Sequence, residues 1–150
     1  MHMIMKKVLF FFILILSFFT AKATHLVGGE MSYERLAGNT IRVTLIVYRD
    51  DVNGNPNAFF DDPAVISFYA DNGTFLQARE FALMSFTTIV PVLSPCQDVI
   101  PNIVTQRGLY VFTIDLGTIQ GFNTNVGMTM VYGRCCRNSI INNFTAPGDQ

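Results

Sequence analysis

Residues 39–49 read NTIRVTLIVYR, and the alternation there is strict. Ile41, Val43, Leu45 and Val47 fall on one side, with Arg42, Thr44, Ile46 and Tyr48 on the other. A two-residue period of this kind marks a β-strand with one face in a core. The preceding stretch, residues 26–36, is expected to pair with it across Ala37-Gly38-Asn39, a turn-forming cluster. Residues 63–70 (PAVISFYA) form a short run of β-branched and aromatic residues. Asp71-Asn72-Gly73 then turns the chain, and residues 74–81 return. Two further strands are expected at 108–116 (GLYVFTIDL) and 126–135 (VGMTMVYGRC). The stretch 87–105 contains Pro91, Pro95 and Pro101 and reads as extended and irregular, with room for one edge strand. Short strands separated by turn residues, with no helical period after residue 20, predict an all-β domain. Its expected form is an antiparallel β-sandwich, immunoglobulin-like or jelly-roll-like, with a partly open barrel as the competing architecture.

The first 23 residues follow a different pattern. Lys6 and Lys7 precede a twelve-residue apolar stretch ending at Phe19, and Ala21-Lys22-Ala23 closes it with small residues. A positive head, an apolar middle and a small-x-small end make a secretory signal helix, with cleavage expected after Ala23. The run is shorter than the roughly twenty residues that a membrane-spanning helix needs. Residues 24–150 are then a single domain that can stand as the first module of a longer protein, and no membrane span is expected within it.

Loss of the leader changes the charge. All three lysines (Lys6, Lys7, Lys22) leave, so the mature chain carries seven arginines against eleven acids, a net charge of −4. Such a surface gives no basic patch for nucleic acid. An oxidising destination permits disulfides, while a 127-residue domain is large enough not to require them.

Candidate chemistry is sparse. The mature chain keeps one histidine, His25, two residues from the expected new N-terminus, which is a poor station for a general base. No catalytic residue is expected, and the domain is read as non-enzymatic. Gly28-Gly29 lies in the first strand with no helix after it, so a bulge or a close backbone approach is expected rather than a phosphate cradle. The loop 49–62, RDDVNGNPNAFFDD, gathers Asp50, Asp51, Asn53, Asn55, Asp61 and Asp62. Hard oxygen donors on a turn are what calcium takes, and these six are the candidate ligands. Their spacing is not that of an EF-hand, and an ordinary polar turn explains the same residues. Arg134 and Arg137 are expected to pair with acids of this loop.

Several phrases in order carry a resemblance: THLVGGEMSYERL, IRVTLIVYRD, DDPAVISFY, LSPC and YGRCCRNSIINNF. Together they resemble the N-terminal domain of large exported surface proteins of gliding and gut-type Bacteroidetes. Members of that family begin after the signal with a His-Ile-Val-Gly-Gly-Glu phrase and close the domain with Tyr-x-Arg-Cys-Cys-Arg-Asn. The resemblance implies an adhesin-like or cell-envelope protein, extended by PKD- or immunoglobulin-type modules and exported by type IX secretion. Its partners would be other surface modules or an extracellular glycan or protein ligand. The alternative is a carbohydrate-binding module of an exported enzyme. That alternative is weakened by the absence of tryptophan, and it would need three of Tyr33, Tyr48, Tyr69, Tyr110 and Tyr132 coplanar on one exposed face.

The chain departs from the family at two cysteine positions, with Asp51 after Tyr48-Arg49-Asp50 and a residue at or near Val104. Both absences together suggest a disulfide lost as a unit. Cys96, Cys135 and Cys136 remain. Adjacent residues on a strand point to opposite faces, so Cys135 and Cys136 cannot both reach Cys96. A disulfide of Cys96 with Cys135 or Cys136 is expected, closing a loop of about forty residues worth roughly 4 kcal/mol in the chain-entropy account.

Overall fold

The computed structural model describes residues 26–52, 54, 58–89 and 104–134. The expected leader with its cleavage point at Ala23, together with His25, Asn53, Asn55, Cys96, Cys135, Cys136 and Arg137, lies outside the described residues.

The described chain forms seven strands and no α-helix. They are β1 (Leu26–Arg35), β2 (Thr40–Asp50), β3 (Ala64–Ala70), β4 (Phe75–Phe81), β5 (Ser85–Ile89), β6 (Thr105–Asp115) and β7 (Met128–Tyr132). One sheet has four strands in the order β1-β2-β6-β5, and the other has three in the order β4-β3-β7. Every pairing is antiparallel. The all-β expectation therefore stands, as two layered antiparallel sheets.

The alternation of residues 39–49 sets the floor of the core. Ile41, Val43, Leu45 and Val47 are all buried, while Arg42 is exposed. From β6, Tyr110 and Ile114 join them, and Ala64, Ile66 and Phe68 of β3 face them from the other sheet. Ile66, Phe68 and Ala70 pair with Tyr132, Met130 and Met128 of β7, which places those three β7 side chains on the inward face. Phe81 of β4 stacks on Phe112 of β6, their rings 3.6 Å apart, and closes the opposite flank.

Both predicted turns form. Thr40 donates its backbone N–H to the Ala37 carbonyl at 2.9 Å, with Gly38 at φ 58°. Gly73 donates to the Ala70 carbonyl at 2.9 Å, and the Asn72 side chain accepts from the Thr74 N–H at 3.0 Å. The glycine pair in β1 does both things expected of it. The register against β2 slips between Leu26 and Gly28, and a Cβ at Gly29 would lie 3.0 Å from the Ile46 carbonyl oxygen.

Boundaries differ in informative places. β6 starts at Thr105, three residues before the expected Gly108, because β5 and β2 both offer partners to its first half. The edge strand expected within 87–105 begins earlier, at Ser85, and pairs with β6 only. β7 is shorter than the stretch 126–135, its start delayed by the loop that holds Asn123 and Asn125.

Candidate functional site

At one end of the sandwich, the segment from Ala58 to Pro63 crosses from the four-stranded sheet to the three-stranded one. It is fastened by residues from three strands. Arg49 continues the inward phase of Ile41, Val43, Leu45 and Val47, so the alternation carries a guanidinium into the core, where Arg49 is 5% exposed. A buried charge needs partners. Arg49 donates to the Asp51 carboxylate at 2.8 Å and to the Ala58 carbonyl at 3.2 Å, and it lies 5.1 Å from the centre of the Phe59 ring. Phe59 packs edge-on against both Phe60 and Phe86.

Asp61 is the centre of the arrangement. Its carboxylate accepts the Tyr132 hydroxyl at 2.6 Å and pairs with Arg134 Nε at 3.4 Å, and its backbone carbonyl accepts the Tyr110 hydroxyl at 2.6 Å. Arg134 also donates to the Phe59 carbonyl. Neighbouring Asp62 accepts the Leu83 N–H at 3.0 Å. A single aspartate thus ties β6 and β7, one from each sheet, to the crossing loop.

Burial pushes the Tyr110 hydroxyl up to about 12, with the negative charge of Asp61 adding to the shift. Tyr132 is raised further, by burial first and then by its hydrogen bond to Asp61. Both phenols are therefore neutral donors at ordinary pH, which suits holding a loop and does not suit moving protons. Folded values above the unfolded value near 10 mean stability that is intact below pH 10 and lost as pH climbs through 10 to 12. Urea titrations at pH 8, 10 and 11.5 are expected to show a fall between the last two that shrinks in Tyr110→Phe. An equal fall in both proteins would contradict this assignment.

Four of the six calcium candidates are described. Asp51 pairs with Arg49, Asp61 with Arg134 and Tyr132, and Asp62 with the Leu83 N–H, while Asp50 accepts the Val52 N–H at 2.9 Å. Among the described residues, no group of three acids, histidines or cysteines converges on a metal position. A thermal melt is expected to be unchanged by millimolar calcium or by chelator. A rise of several degrees with calcium would return Asn53 and Asn55 to consideration.

The expected pairing of Arg134 with the acidic loop is present. The sequence does not mark Arg49, Tyr110 and Tyr132 as partners of this loop, although both tyrosines belong to the set weighed for a glycan platform. The signal for Arg49 was available: it sits in register with four core residues. Nothing in the local pattern marks the tyrosines, because their partner lies 49 and 71 positions away.

The tyrosines do not build a glycan platform. Tyr110 is buried, and Tyr132 turns inward to Asp61. Tyr33 pairs with the inward-facing Val43, whereas Tyr48 belongs to the outer face of the same sheet, and Tyr69 packs against Phe75 in the other sheet.

Comparison of the chain with known protein families, with curated proteins and with solved structures finds no match.

Proposed function

We propose that the chain is a non-enzymatic β-domain of an exported protein of the cell surface or cell envelope, which folds outside the cytosol and presents or connects other modules. The observation that carries this reading is the use made of Asp61, Arg134, Tyr110 and Tyr132. This partly buried cluster of ionisable groups holds a loop across two sheets, and its phenols are kept protonated. Such a cluster supports a scaffold better than a reaction centre. The leader-like first 23 residues point the same way, and β1 opens at Leu26, the third residue after the expected cleavage point.

The strand order supports an immunoglobulin-type sandwich in particular. In chain order, β1-β2-β6-β5 corresponds to the A-B-E-D sheet of that architecture and β4-β3-β7 to C′-C-F of the other. Domains of this kind commonly act as rigid modules in extracellular proteins.

Recovery from producing cells tests the proposal. The expected protein is accessible to antibody or protease on intact cells, begins at Thr24, and yields a Cys96 peptide crosslinked to the peptide holding Cys135 and Cys136. A chain retained in the cytosol with its leader contradicts it, while an exported chain with no Cys96 crosslink in a non-reducing peptide map rejects the expected disulfide alone.

A further inference from the structure

The outer face of the four-stranded sheet is apolar at its centre and charged at its flanks. Side chains that alternate with the core residues of β2 and β6 point to this face. Ile46 stands directly opposite Leu109 there, and Thr44 directly opposite Val111. Val111 is 37% exposed, and Ile46 and Leu109 are partly exposed. A sheet face turned to water ordinarily carries polar side chains at such central positions, so three adjoining aliphatic groups mark a contact surface. On one flank, β1 places Glu30 opposite Ile46 and Glu34 opposite Arg42. Glu34 pairs with Arg42 at 3.3 Å, and Glu30 accepts the Tyr48 hydroxyl at 3.5 Å. Toward the other flank, Arg107 of β6 stands opposite Tyr48, and among the described residues it has no hydrogen-bonding or ionic partner. β5 lies outside it and adds Ser85 and Thr87, which carry no charge.

We propose that this face binds a second copy of the chain, sheet against sheet, about a twofold axis that runs along the strands between β2 and β6. Charge selects the occupant and the axis together. A twofold in this direction lays β2 of each copy on β6 of the other, level for level. Ile46 then meets the partner's Leu109, and Thr44 meets the partner's Val111. Tyr48 receives the partner's Arg107, with Glu30 beside it as the acceptor, so a cation without a partner in the single chain gains an aromatic face and a carboxylate. The acids of β1 come to lie over the uncharged β5 of the other copy. The alternative face-to-face twofold, perpendicular to the strands, stacks each strand on its own copy and sets the glutamates of β1 over one another, which repels. The axis along the strands also keeps the two sheets aligned, as stacked sheets pack. The outer face of the three-stranded sheet has exposed Val65 and Val131, but its described strands present Glu80 there and no cation, so it lacks this self-complementarity. Strand spacing makes the proposed contact about 19 Å wide and about 24 Å long. Two copies together cover roughly 900 Å², the size of a weak, reversible interface. The proposal concerns association alone and does not depend on where the protein is exported.

Sedimentation of the purified protein tests it, from about 10 to about 500 µM, a range that brackets an interface of this size. The expected result is a reversible monomer–dimer equilibrium with nothing larger, because a twofold contact closes on itself. Arg107→Glu is expected to raise the dimer dissociation constant about tenfold, and adding Glu30→Arg to it should restore most of the loss. Val111→Glu brings two like charges together beside the axis and should raise the constant more than about a hundredfold. Val65→Glu, on the other sheet, should change nothing. A monomer at every concentration overturns the proposal, as does a species that grows beyond the dimer. A dimer lost in Val65→Glu and kept in Val111→Glu overturns it too, by moving the contact to the other sheet, and so does a charge swap that recovers nothing. If Val111→Glu fails to fold, the wild type decides through methyl NMR with a soluble paramagnetic agent. In dilute protein the agent should broaden the methyls of Ile46, Leu109, Val111 and Val65. In concentrated protein the first three should be shielded while Val65 stays broadened; four methyls still broadened there overturn the proposal.

Discussion

Replacing Asp61 by alanine is expected to lower the unfolding free energy by about 3 kcal/mol, enough to shift the melting temperature by roughly 10 °C. Two losses combine. Tyr132 keeps a buried hydroxyl with no acceptor, which costs about 1–3 kcal/mol. The Arg134 guanidinium, only 14% exposed, loses its carboxylate and keeps a carbonyl contact. Asp61 itself is 35% exposed, so water relieves part of the penalty and holds the figure at the lower end of the range for broken buried pairs. The pattern matters more than the size. Tyr132→Phe should cost distinctly less in the Asp61→Ala background than in the wild type, because its acceptor is already gone. Asp61→Asn, which keeps an acceptor oxygen but drops the charge, should fall between. An Asp61→Ala cost under about 1 kcal/mol, additive with Tyr132→Phe, would contradict the assigned role.

Gly108→Ala is expected to cost about 2 kcal/mol, though it adds a single methyl. A Cβ at Gly108 would stand 2.8, 2.9 and 3.0 Å from three atoms of the Phe60 ring. The ring has little freedom to retreat: Phe60 is buried, with the edge of Phe59 packed against it at 5.2 Å between centres. Glycine is needed here for space rather than for backbone freedom. Phe60→Leu alone should lose about 1–2 kcal/mol of packing. Combined with Gly108→Ala it should cost clearly less than the sum, because the smaller side chain admits the methyl. Chemical denaturation of the four proteins in the cycle measures both quantities. Strict additivity would place the Phe60 ring elsewhere.

Local chemistry decided what could be read from the sequence. β2 was legible because its alternation is unbroken and its inward face is entirely apolar up to Val47. The two turns were legible because Gly38 and Gly73 adopt positive φ and sit between runs of strand-forming residues. β5 was placed late because SFTTI is exposed along its whole length, so no apolar period marks it. The loop 49–62 is legible in the sequence as a concentration of acids, open to calcium, to an ordinary polar turn or to pairing with arginines, but not as to which acid takes which partner. Folding makes them unequal: Asp51 and Asp61 go to arginines, while Asp50 and Asp62 take backbone N–H groups. The share of Asp61 follows from long-range contacts with Tyr110 of β6, Tyr132 of β7 and Arg134, which a linear pattern does not encode.

The central claim is that the two sheets share one core and are joined at their end by Asp61, so that they open as a unit. Native-state hydrogen exchange tests this at single residues. The account predicts a common, global opening free energy for amides of Val43 and Leu45 in β2, Tyr110 in β6, and Ile66 and Phe68 in β3. Exchange of the β3 amides through an opening much cheaper than that of β2 and β6 would show two sheets held separately, and would contradict the account.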